Sequence, residues 1–107
     1  MQRAYKSYIP LQKMEAQDYK ALQNLLEKVS ELKAYEYNNA HSLAAQFLTL
    51  GKKSINEYAT EDYDEIIRYL ESSQKSKSEK VKVADWEAAC GMLYDNIEII
   101  IIHNAAD

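Results

Sequence analysis

The sequence predicts an all-α protein, a small four-helix bundle with a short N-terminal arm. Three observations carry the prediction: scarce glycine and proline, apolar residues recurring at steps of three and four, and a length of 107 residues. Two glycines and one proline leave few corners for tight turns, which a sheet of many hairpins requires. Hydrophobic residues make up 47% of the chain, enough for a packed interior and too many for disorder. At this length residues 1–107 are expected to form a single helical domain.

The first periodic stretch runs from Leu11 to Leu50, through Met14, Leu22, Leu25, Leu26, Val29, Leu32, Leu43, Ala44 and Phe47. Pro10 suits its start, and Gly51 suits its end as a left-handed cap. A single helix of about 40 residues would run about 60 Å, too long for so small a core. A break is therefore expected near Tyr35–Asn39, where the asparagines offer cap chemistry. It gives helices over 11–34 and 39–51, with residues 1–10 as the arm.

A third helix is predicted over 60–73. Thr60 is placed as its N-cap, and Glu61, Asp62 and Asp64 fall in the first turn, where carboxylates complement the helix dipole. Tyr63, Ile66, Ile67 and Leu70 then form its buried stripe. Residues 71–82, with four serines and four lysines, read as a solvated connection.

The last segment is predicted helical over 83–103, because Trp86, Cys90, Leu93, Ile97, Ile100, Ile101 and Asn104 follow helical spacing. Four consecutive isoleucines favour extended backbone by propensity. An α+β fold with a C-terminal strand at 97–103 is the alternative. As a helix the segment is apolar on two sides, with Ala84, Ala88, Gly91, Ile99 and Ile102 opposite the core stripe. Such a helix is central in its fold or half of an interface. Leu25, Phe47, Ile67 and Leu93 are expected in the core.

Charge is unevenly distributed. Residues 1–53 sum to +3 and residues 54–107 to −7, for a net −4. Phosphate neutralisation needs a basic surface, so nucleic-acid binding is disfavoured. The polar start "MQRAYKSYIP" lacks the apolar centre of a signal peptide, and no apolar run approaches the roughly 20 residues that span a bilayer. One cysteine cannot form an intrachain disulfide. A cytoplasmic protein without membrane contact is expected.

Catalytic and cofactor signatures are missing from the pattern. Neither His41 nor His103 follows a glutamate at the spacing of a helical carboxylate metal site, and two glycines cannot build a phosphate loop. Cys90 sits on an apolar stripe and reads as structural. The chain is thus expected to act without catalysis, metal or cofactor, although an enzyme using scattered carboxylates would leave no sequence sign.

Nine tyrosines and the acids around them are what is unusual. Residues 57–71 hold six acids and one arginine, more than a helix start needs. Charge steers an encounter and aromatic rings supply contact area. Glu57, Tyr58, Glu61, Asp62, Glu65 and Tyr69 are therefore the candidate surface for a basic protein partner. Reversing Asp62 and Glu65 to lysine is expected to spare the fold. The function expected is that of a binding factor, meaning an inhibitor, immunity-type or regulatory protein. The competing expectation is a small assembly subunit, a homodimer joined through Ala84, Ala88, Gly91, Ile99 and Ile102.

Overall fold

Helical periodicity in the sequence becomes four helices in the computed structural model, which describes residues 14–55 and 57–105. They are α1 (Ala16–Ser30), α2 (Tyr37–Gly51), α3 (Glu57–Lys75) and α4 (Glu79–Ala105). No strand occurs among the described residues, so the fold is all-α and the C-terminal strand alternative is set aside. The N-terminal arm and the helix start assigned to Pro10 lie outside the described residues.

Each helix packs on its neighbours in a ring, α1 on α2, α2 on α3, α3 on α4 and α4 back on α1. Across the ring α2 also touches α4, whereas α1 and α3 stay apart. Side chains pin the corners. Asn104 Oδ1 near the end of α4 accepts the Met14 N–H at 2.9 Å, and Lys53 just beyond α2 pairs with Asp18 of α1 at 3.1 Å. Neighbouring helices therefore run antiparallel. At 27 residues α4 is about 40 Å long and reaches along most of the bundle.

One apolar cluster fills the interior: Leu22, Leu25 and Val29 from α1, Ala40, Leu43, Ala44 and Phe47 from α2, Ala59, Ile66 and Leu70 from α3, and Trp86, Ala89, Leu93, Ile97 and Ile100 from α4. Leu25, Phe47 and Leu93 are core residues as expected. Ile67 is only half-buried. The buried line of α3 is Ala59, Asp62, Ile66, Leu70 and Ser73, which is rotated from the predicted stripe. Hydropathy alone misplaced that line because two of its five members are polar.

The connections differ from expectation for identifiable reasons. α1 ends at Ser30, earlier than the expected 34, and Tyr35 takes the left-handed conformation with φ 67°. That conformation is uncommon for a bulky residue and is held by tertiary contacts. Gly51 stays helical, because its role is close approach. A Cβ there would lie 3.1 Å from Ala59 Cβ and 3.3 Å from Phe47 Cε1. Residues 52–55 beyond it form turns, with the Ser54 and Ile55 N–H groups both bonded to Gly51 O.

α3 starts at Glu57, not at Thr60, so Thr60 is no cap and sits exposed within the first helical turn. The serine- and lysine-rich stretch is mostly helix, since α3 runs to Lys75 and α4 begins at Glu79. Ser78 is responsible for the early start of α4. Its Oγ accepts the Val81 N–H at 3.3 Å, the bond by which a cap serine satisfies an orphan donor. The isoleucine run is helical because Ile97 and Ile100 are both fully buried, and tertiary burial overrides strand propensity.

Candidate functional site: the α3–α4 surface and the lysine–aromatic junction

The predicted partner surface divides along the curvature of α3. Glu61 is exposed, whereas Tyr58, Glu65 and Tyr69 are half-buried. The side chain of Glu57 lies outside the described part of the structure. Asp62 has no exposed surface at all and must be removed from the candidate surface. It falls on the same helical line as Ile66 and Leu70, which places it inward.

Glu65 and Tyr69 line a depression of about 500 Å³ whose far wall is Asp85 of α4. Arg68, Glu71 and Lys75 complete its rim from α3, and Ser72 bonds Asp85 across it. Acid thus continues from one helix to the next. Beyond Lys82 the chain has no lysine or arginine through Asp107, while Asp85, Glu87, Asp95 and Glu98 all lie on α4. Sequence reading located the acid on α3 and missed its extension on α4, where it is spread singly among apolar residues.

The predicted dimer surface maps to the outer side of α4. Ala84, Gly91 and Ile102 are exposed, and Ala88 and Ile99 are half-buried. Ile102 retains 59% of its surface. Asp95 and Glu87 are exposed on the same helix.

A third cluster joins α2, α3 and α4. Tyr35 stacks on Tyr37 with ring centroids 6.1 Å apart, and both meet Trp86 edge-on at 5.9 and 5.3 Å. The Lys82 ammonium stands 5.4 Å from each tyrosine centroid, within cation–π range. It donates to Ser73 O at 3.0 Å and to Tyr37 Oη at 3.3 Å, and Ser73 Oγ donates to Lys82 O at 2.8 Å. Lys82 therefore caps the carbonyl end of α3. Tyr35 Oη donates to Glu79 at 3.2 Å, and partial burial, followed by that carboxylate, raises its pKa. The sequence signal was present in Tyr35, which fits the buried stripes poorly, whereas Tyr37 continues the stripe of Ala40 and Leu43. Their partner was hidden in the low-complexity stretch.

This junction is structural in its chemistry. Lys82→Met keeps the stem and deletes the charge, so it removes charge-assisted bonds and the cation–π contacts together. A loss of about 1–3 kcal/mol is expected in urea unfolding. A midpoint unchanged from the parent would show that the ammonium contributes nothing to the junction.

Cys90 is half-buried, and desolvation pushes its thiol from the ordinary 9.0 up to about 11. A raised thiol pKa means that the unfolded chain releases this proton first. Stability is then intact below about pH 9 and falls as pH rises toward 11. Urea midpoints measured across that window should drop in the parent and drop less in Cys90→Ala. The thiol should also react slowly with alkylating reagents at neutral pH, since the thiolate is the nucleophile.

Among the described residues no helix is long and apolar enough to cross a membrane, and no three His, Cys, Asp or Glu side chains come together as a metal site. No protein-family model matches the chain, and neither curated proteins nor solved structures show a significant likeness to it.

Proposed function

We propose that this chain is a non-catalytic binding factor of the inhibitor, immunity or regulatory kind, and that its α3–α4 surface receives a basic protein. The observation that carries this reading is the depression lined by half-buried Tyr69 and by the carboxylates Glu65, Glu71 and Asp85, which outnumber Arg68 and Lys75 on its rim. A fixed aromatic beside acids on two adjacent helices supplies both an anchor and an attractive field. Glu61, exposed on the same helix, extends the field outward.

Pulldown from the native cell extract at low and high salt tests it, using the parent and Glu61→Lys combined with Glu65→Lys. A specific basic partner should be held at low salt, released at high salt, and lost with the double variant, mainly through slower association. Tyr69→Ala should retain the association rate and dissociate faster. A partner held equally by the parent and by the folded double variant would place the interface elsewhere.

The second reading is an assembly subunit that self-associates through α4. The exposure of Ile102, Ala84 and Gly91 favours it. The acids of that helix oppose it, because two-fold pairing about Gly91 sets Asp95 of one copy toward Glu87 of the other. Sedimentation at micromolar concentration separates the two readings, since a stable dimer without a basic partner supports the second.

A further inference from the structure

The outer face of α4 carries a feature that the fold does not use. Val81, Ala84, Ala88, Gly91, Ile99 and Ile102 recur at helical spacing over about 32 Å of the axis. Val81 is 44% exposed and Ile102 59%. Gly91 is exposed at mid-helix, where glycine weakens a helix relative to alanine. A Cβ placed on it meets nothing within 4 Å, whereas one on Gly51 would crowd Ala59 and Phe47. Among the described residues nothing requires bare backbone at Gly91.

A helix packed on this face from outside would make use of it. Small residues at a helix crossing let two axes approach closely, and Ala84 and Ala88 continue the low surface on either side. The charges select what approaches. Asp95 interrupts this face between Gly91 and Ile99, Glu87 and Glu98 lie beside it, and the chain has no Lys or Arg after Lys82 to balance them. A second copy would bring the same acids against itself, and like charges across an interface are strongly disfavoured. A basic partner meets no such barrier.

We infer that the outer face of α4 seats a basic amphipathic helix of the partner protein. The assignment rests on the reading that the partner is basic, and it names the element recognised. The partner helix crosses at Gly91, covers Ile102 with its apolar stripe, and aims Lys or Arg at Glu87, Asp95 and Glu98.

The test uses the full-length protein and, as probe, a synthetic amphipathic helix of leucine and lysine, titrated by calorimetry at low salt. The parent should bind it. Gly91→Leu should melt no lower than the parent, because its side chain enters open space, yet bind about tenfold more weakly. Ile102→Lys should weaken the probe to a similar degree. Glu27→Lys combined with Glu31→Lys, both exposed at the end of α1, should change affinity by less than about threefold.

Parental affinity in folded Gly91→Leu overturns the inference. Loss of binding only on reversing the α3 acids also overturns it, while leaving the basic-partner reading intact. No binding by the parent overturns both. A parent that sediments as a dimer and becomes monomeric with Ile102→Lys assigns the face to a second copy, which likewise overturns the inference.

Discussion

Asp62→Lys should leave most of the chain unfolded at room temperature, while Glu61→Lys, one residue earlier, should melt almost with the parent. Asp62 has no exposed surface and lies on the α3 line that enters the core. A lysine ammonium forced into such a site loses its water, at an effective cost of several kcal/mol (order of magnitude). Domains of this kind are stable by only about 5–15 kcal/mol. The substitution also replaces a short side chain with a long one beside Ile66, which adds strain. Glu61 points to solvent, where such changes usually stay within about 0.5 kcal/mol. Thermal melts followed by circular dichroism decide the matter. Near-equal melting of the two variants would mean that water reaches Asp62.

This pair reverses part of what the sequence suggested. Six acids within 57–71 read as one surface, yet the helix has to turn one of them inward. Hydropathy cannot rank Asp62 against Tyr63 or Ile67 for the buried position, because it assigns an acid to solvent by default. The packing of α3 against both α2 and α4 settles it through backbone phase, with Ala59, Ile66 and Leu70 already committed to the interior.

Phe47→Ala should be the most damaging truncation in the apolar core. Phe47 is fully buried, and its ring edge lies within 3.3 Å of where a Gly51 Cβ would stand, so the surroundings are tight. Removal of a buried phenylalanine typically costs about 3–5 kcal/mol. For a domain of this size the melting temperature should fall by more than about 10 °C. Ile66→Ala should likewise exceed Ile67→Ala, since the first residue is buried and the second is half-exposed. If Ile67→Ala proves the more costly, the phase of α3 is wrong.

Fold class was legible because its signals are redundant. Leu22, Leu25, Val29, Leu43 and Phe47 repeat one helical phase, and every one of them is buried. Boundaries were less legible because they depend on single bonds. Ser78 and its 3.3 Å contact with the Val81 N–H decide where α4 starts, and a serine among four serines gives no sign of that role. Tyr35 shows the same limit, since its left-handed backbone is held by Tyr37 and Trp86, and Trp86 lies 51 positions further along the chain. The candidate surface was half legible. Glu61, Glu65 and Tyr69 could be found as a local cluster, whereas Asp85 joins them only because α4 folds back alongside α3.

The trio of Tyr35, Tyr37 and Trp86 also equips the molecule with an internal optical gauge. Trp86 is the only tryptophan, and two phenol rings stand within 6 Å of it. At such separations excitation absorbed by those tyrosines is handed to the indole, so they contribute little emission of their own. Loosening of that junction should restore phenol emission from Tyr35 and Tyr37. Separation of this end of the bundle can then be followed in the unlabelled chain by the ratio of the two emissions, over the background of the other seven tyrosines.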